Sequence, residues 1–356
     1  MAHKTSVRVA NDEIIFNDGL RISFQRTLRI PDDGDSYPLP PGLGSFPIRK
    51  VDDYADRVPA EWLQRGGVFL PMYQREAMWL RLSGESWKPR AVKVAVGKVC
   101  ALTGAPWSEE LHSDPQNYLV SPPQPWLDGI AAASGIIRQF VAMPLGMGYT
   151  VEGQVNGTER FGGIQIKVVE PRAGRFNRQT MRRQKCGETC DLSASDVVSE
   201  KGCDLEECEP AAPCAAPAPA ARRSAGNMGL AAGGRMKQKI YPDPYDVATW
   251  NQDHSARVFV HIVNSELWRE ITGEEPPATP VTARSYALHN LPWFDLYDEA
   301  VPTLRPSSVL ANVKSVKTMD HQKFGQPLQD DNAVEVGPVK KILLHMAATM
   351  VRDGKW

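Results

Sequence analysis

The chain has 356 residues, 42% of them hydrophobic and 23% charged, with 41 basic and 42 acidic side chains and a formal net charge of -1. That length suits two ordinary domains or one large one with an insert, and the composition supports a sizeable core. So balanced a charge creates no global field toward nucleic acid or an anionic membrane, and no nucleic acid is expected as a partner.

The first residues, Met1 to Ser6, precede no apolar stretch of the kind a secretory signal needs. The expected location is therefore cytoplasmic, with reduced cysteines. Residues 5–30 alternate with period two: Val7 and Val9, then Ile14, Ile15 and Phe16, a turn at Asn17-Asp18-Gly19, then Leu20, Ile22 and Phe24. This predicts a β-hairpin. Residues 37–44 form a proline- and glycine-rich arm. Residues 51–63 carry weak helical character, and Tyr73, Ala77 and Leu80 at i, i+4 and i+7 predict a helix over 73–82. Residues 92–102 alternate as a strand that ends near Cys100, a small core residue by its surroundings.

The most apolar window, 130–149, is interrupted by Arg138, Gln139, Pro144, Gly146 and Gly148. A charge at a bilayer centre costs roughly 2.5–3.5 kcal/mol, so no membrane span is expected. Short β-like runs at 137–142, 149–155 and 163–169, punctuated by glycines, predict a sandwich- or barrel-like body. From 171 to 226 the periodicity disappears into a basic block, an acidic block and an Ala/Pro-rich tract. Such a composition cannot repay its ordering entropy, which predicts a disordered insert. Beyond it, Gly229 to Gly234 reads as a turn or a site of close backbone packing, 257–264 as a strand and 265–271 as a short helix. Residues 306–337 read as loops with strand fragments, and Pro338 as the start of an amphipathic helix bearing Val339, Ile342, Leu343, Met346 and Met350.

The expected fold is β-rich α+β: an antiparallel sandwich- or barrel-like body with a few short helices and a disordered insert. Its parts are a β-rich segment 1–170, the Cys/Ala/Pro-rich insert 171–226, and a β-rich segment 227–356 with a terminal helix, the outer two forming one body. An echo crosses the insert. Thr103-Gly104 precedes Pro125-Trp126-Leu127-Asp128 much as Thr272-Gly273 precedes Pro292-Trp293-Phe294-Asp295. If the echo reflects duplication, Trp126 and Trp293 hold equivalent places.

Four cysteines in the insert, Cys186, Cys190, Cys203 and Cys208, approximate two short-spaced pairs around a longer loop, with Cys214 following. Thiolates so arranged are candidate zinc ligands, although the spacing is not the usual C-x2-C. His112-Ser113-Asp114 together with His261 is a candidate iron face. Carboxylates gathered in a cleft would support acid–base chemistry, and Asp128, Glu152, Asp295 and Asp298 are the candidates. Trp126, Trp293 and Tyr297, aromatics near carboxylates, are candidate ligand-binding residues. No Walker loop, nucleophile elbow or H-E-x-x-H motif is present.

Residues 26–34 (RTLRIPDDG), 38–46 (PLPPGLGSF), 73–79 (YQREAMW), 124–130 (QPWLDGI), 138–154 (RQFVAMPLGMGYTVEGQ) and 228–245 (MGLAAGGRMKQKIYPDPY) resemble an uncharacterised family of mainly bacterial and fungal proteins. Some of its members are labelled integral membrane proteins, a label that Arg138 and its neighbours argue against. The resemblance implies a common fold and carries over no activity. The leading expectation is a non-enzymatic binding or assembly protein that docks on itself or on another protein. The alternatives are a hydrolase or metal-dependent enzyme using the carboxylates, and a zinc-stabilised interaction module.

Overall fold

The computed structural model describes residues 6–17, 19–177, 226–278, 281, 293–295, 302–326 and 339–341. The predicted hairpin is present. β1 (Val7–Ala10), β2 (Glu13–Phe16) and β3 (Leu20–Thr27) pair antiparallel in sequence, with Asn17 in the left-handed region at φ 46. Two short strands follow, β4 (Ser36–Tyr37) and β5 (Arg49–Lys50). The weak helical signal resolves into a 3-10 turn, Val51–Tyr54, and α1 (Ala60–Arg65). β6 (Val68–Met72) comes next.

The helix expected over 73–82 is corrected to a strand, β7 (Ala77–Gly84). Ala77, Met78, Trp79 and Leu80 are all buried, because β7 is covered on both faces. A strand buried on both faces loses its alternation, and three apolar residues at helical spacing then mislead. Where one strand was expected over 92–102, the chain makes a hairpin of β8 (Arg90–Val96) and β9 (Val99–Cys100). Gly97 and Lys98, at φ 56 and 62, form its turn. Cys100 is buried, as expected.

β10 (Leu119–Ser121), β11 (Trp126–Leu127), β12 (Gly129–Ala133) and β13 (Ile136–Pro144) continue the sheet. The β-like run at 149–155 is instead α2 (Val151–Asn156), because the Thr150 side chain accepts a hydrogen bond from the Gly153 N–H and caps it. β14 (Ile164–Pro171) closes the first part of the chain.

After the insert, β15 (Asn227–Lys237) runs straight through the glycine-rich stretch, so there is no turn. These glycines serve close packing: a Cβ on Gly233 would lie 2.7 Å from Val141 Cγ2, and one on Gly229 would lie 2.9 Å from Thr150 Cγ2. β16 (Trp250–Asn264) contains the strand expected over 257–264 but begins seven residues earlier, and α3 (Ser265–Thr272) matches expectation. β17 (Trp293–Asp295) pairs parallel with β18 (Val339–Lys341). Residues 339–341 are therefore strand where a helix was expected; the rest of that stretch lies outside the described residues. The passage from 306 contains two helices, α4 (Ser308–Ala311) and α5 (Val316–Phe324), in place of strand fragments.

Sixteen strands form one sheet, largely antiparallel, along the path β1-β2-β3-β7-β13-β15-β16-β14-β8-β10. The path ends at β1 and β10, so the sheet does not close into a barrel. Strands from both sides of the insert alternate within it: β13 pairs β15, and β14 pairs β16. The inner face of β8, β14 and β16 carries Val92, Val94, Val96, Ile164, Ile166, Val168, Val258 and Val260 into the main core. The outer face carries Lys93, Lys167 and Arg257 in one register and Ala95, Gln165 and Phe259 in the next. Three buried glutamines replace a backbone ladder between residues 116–128 and 238–243. Gln238 Nε2 donates to Trp126 O (2.8 Å), Gln124 Nε2 to Lys239 O (3.2 Å), and Gln116 Oε1 accepts from Asp243 N (2.8 Å). Among the described residues no helix is long and apolar enough to cross a membrane.

Candidate functional site

The sequence-derived carboxylates do not gather. Asp128, at the corner between β11 and β12, is wholly buried (0% exposed), and neither carboxyl oxygen has a hydrogen-bond partner. Burial pushes its acidity well away from the usual carboxylate range, toward the protonated form; the Trp126 indole lies near enough to oppose this slightly without reaching hydrogen-bond geometry. Glu152 is buried elsewhere, at the start of α2. No hydrogen bond joins Glu152 to Asp128, and neither lines the clefts of about 470 Å³ (Asp114, Gln238, Arg305) and about 270 Å³ (Lys88, Glu170, His254). Asp295 ends β17 opposite Lys341, and Asp298 lies outside the described residues.

Trp126 and Trp293 are 2% and 1% exposed, so they anchor the core and present no ring to a ligand. Tyr297 and the cysteines Cys186, Cys190, Cys203, Cys208 and Cys214 lie outside the described residues. Among the described residues no group of three or more His, Cys, Asp or Glu could hold a metal ion. Ser113 and Asp114 line the larger cleft, whereas His261 is buried in a ring stack on β16. The echo fails as well. Thr103-Gly104 follows a hairpin and Thr272-Gly273 caps α3, while Trp126 pairs antiparallel with β7 and Trp293 parallel with β18.

What the fold does assemble is a cationic, aromatic patch on the outer face of β8, β14 and β16. Glu152 builds one wall. Its carboxylate accepts from the N–H groups of Arg160 (2.8 Å), Phe161 (2.9 Å) and Gly162 (2.8 Å), which fixes the loop between α2 and β14. Gly97 leaves room for that carboxylate, since a Cβ there would overlap the Glu152 side chain. Gln165 ties the β8–β9 turn to the same loop, accepting from Lys98 N (2.5 Å) and donating to Gly162 O (3.0 Å).

At the end of α1, Arg65 donates to the carbonyls of Arg160 (3.2 Å) and Phe161 (3.3 Å). Three cations thus surround one phenyl ring. Lys98 Nζ lies 4.3 Å from the Phe161 centroid, Arg65 Cζ 5.2 Å and Arg160 Cζ 5.7 Å. None of the three makes an ion pair among the described residues. Burial and the neighbouring Arg160 charge both disfavour protonated Arg65, offset by Glu61 and Glu152. Beneath the patch, His261 stacks between Trp62 (4.5 Å, 19°) and Phe259 (4.3 Å, 21°). Burial holds this imidazole neutral, lowering it to about 3, so its Nε2–H donates to Gly66 O at 3.1 Å.

Three charges around one ring lie at separations comparable to the Debye length, about 8 Å at physiological salt, and so repel one another. The hydrogen bonds of Glu152 and Gln165 already organise the loop and turn that carry Lys98 and Arg160, which lowers the ordering cost of binding. Guanidinium and ammonium N–H donors so placed are of the type that can pair with an oxyanion. Sequence reasoning missed Arg65, Lys98 and Arg160 because they are far apart along the chain. The available signal was a cation within two residues of a turn glycine, three times over: Arg65-Gly66-Gly67, Gly97-Lys98 and Arg160-Phe161-Gly162-Gly163. No protein-family model, curated protein or solved structure matches the chain.

Proposed function

We propose that the protein is a non-enzymatic binding protein whose ligand presents a phosphate group to Arg65, Lys98 and Arg160. The observation that carries this reading is the convergence on Phe161 of three cations that form no ion pair among the described residues, held by the Glu152-anchored loop. Guanidinium forks and an ammonium match the tetrahedral oxygens of phosphate, and an arriving anion relieves the repulsion among them. Glu152 acts here as a positioning residue, since the three N–H groups of the loop occupy its oxygens.

Calorimetric titration with inorganic pyrophosphate tests the reading. Saturable binding is expected, accompanied by a rise in thermal midpoint that grows with ligand as mass action requires. The double substitution Lys98→Gln/Arg160→Gln removes two mutually repelling charges from side chains outside the core, and should abolish the titration signal without lowering the unliganded midpoint. An unchanged pyrophosphate affinity in that variant refutes the site.

A further inference from the structure

The same face carries a second cationic position, two same-face rows further along the strands. Lys167 on β14 is in register with Arg257 on β16 and Lys93 on β8, so three cations stand side by side on adjacent strands. Like charges at paired positions destabilise a sheet unless something answers them. The loop after β9 does so. Lys93 Nζ is consumed by the carbonyls of Ser108 (2.6 Å) and Glu110 (2.6 Å). Lys167 Nζ reaches Glu109 O (2.6 Å) and Glu109 Oε2 (3.3 Å), and Arg257 reaches Glu109 Oε1 (2.6 Å).

One carboxylate, Glu109, therefore sits where an external anion would contact Lys167 and Arg257 together. Partial burial works against its charge, but hydrogen bonds from Trp107, Arg257 and Lys167 outweigh that and hold it ionised down to about 2. The arrangement is nevertheless open to exchange. The Glu109 side chain is 48% exposed and that of Arg257 65%, and an exposed pair of this kind contributes little; Lys167, 7% exposed, keeps its bond to Glu109 O and meets solvent only where the carboxylate leaves. The loop backbone stays on Lys93 through its carbonyls, so only the Glu109 side chain has to swing away.

Resting on the phosphate reading above, we infer that the ligand is a linear chain of phosphates, which fills the Arg65–Lys98–Arg160 position and displaces Glu109 from Lys167 and Arg257. A single row, with Gln165 and Phe259 in register, separates the two positions. Same-face rows follow one another roughly 7 Å apart along a strand, so the two positions lie about 14 Å apart, too far for one phosphate or pyrophosphate to bridge both. A chain can reach both. Single-stranded nucleic acid and inorganic polyphosphate share this chemistry. Phe161 and Phe259 already hold cations against their rings, so phosphate contacts rather than base stacking provide the recognition.

The test measures the anisotropy of a labelled oligothymidylate, with long-chain polyphosphate as an alternative ligand and pyrophosphate as the single-position control. Glu109→Gln should tighten chain binding roughly two- to fivefold, the scale of a weak exposed pair, and leave pyrophosphate unchanged. Arg257→Gln should weaken the chain only. Its loss should also lower the log–log salt slope by about 0.7, as for one phosphate contact on a single strand. The chain that binds more tightly at equal phosphate identifies the source. If Glu109→Gln leaves the chain unaffected, or shifts chain and pyrophosphate alike, the second position is overturned, while the double-variant result still decides the first. Binding to phosphatidylserine vesicles with none to either chain also overturns the inference.

Discussion

Asp128 shows how burial decides the role of a single residue. A carboxyl near an aromatic reads as a candidate acid, yet this one is enclosed in the core, its backbone N–H bound by Gln238 Oε1 at 3.2 Å and its carboxyl oxygens unpartnered. Its raised native proton affinity has a definite linkage sign. Above the ordinary carboxylate range, about 3.9, the unfolded chain releases the proton while the native state keeps it. The Asp128 contribution is therefore fully present at low pH and is lost as pH rises toward its native value, at about 1.4 kcal/mol per pH unit. Asp128→Asn removes this dependence. Urea unfolding across a pH series should show the variant gaining on the parent steadily as pH rises above about 4. A difference between the two that stays flat with pH would mean that Asp128 is ionised in the native state.

At the scale of elements, the β8–β9 turn matters most, because it couples geometry to the proposed site. Gly97 combines a left-handed φ of 56 with a position where any Cβ would overlap Glu152. Gly97→Ala should therefore act twice: through backbone strain on the order of 1 kcal/mol, and by pushing the carboxylate out of its cup of N–H groups. The expected result is a lowered midpoint together with a loss of pyrophosphate affinity that exceeds what a surface substitution of equal instability produces. Retained affinity in a destabilised Gly97→Ala protein would sink the positioning role of Glu152. Local chemistry of this kind decides what the sequence reveals. The hairpin through Asn17 and Gly19 is legible because its turn residues and alternation agree within a few positions. Helix α3 is legible for a similar reason, with Asn264 capping it through the Glu266 N–H. β7 is not legible, because burial on both faces erases the period. The cation cluster is illegible too, since only the tertiary pairing of β8, β14 and β16 brings Arg65, Lys98 and Arg160 together.

For the whole molecule, the insert poses a question of reach. β14 and β15 both run antiparallel to β16, but β14 ends with Pro171 beside Trp250, while β15 begins with Asn227 beside Val263. The connection must therefore return along the length of β14 and a little beyond, about 30 Å at the usual strand rise. A fully extended chain gains at most about 3.6 Å per residue, so fewer than roughly nine residues cannot bridge the gap. A flexible Gly/Ser linker has a root-mean-square span of about 30 Å near thirty residues. Replacing residues 178–225 with such a linker changes closure entropy by less than about 1 kcal/mol, so the thermal midpoint should stay within a few degrees of the parent. A linker of about five residues reaches across only if residues 172–177 peel away and join the span, so it should instead break the Arg172 contacts with Thr249 and Ala248 and lower the midpoint. The same pair of proteins weighs the zinc reading of Cys186, Cys190, Cys203 and Cys208. If those thiolates held a structural metal that steadies the body, the thirty-residue replacement would lose several kcal/mol, and a chelator would do the same to the parent. Equal midpoints for parent, chelated parent and long-linker protein would instead show that the insert serves as a tether of sufficient length between two halves of one sheet.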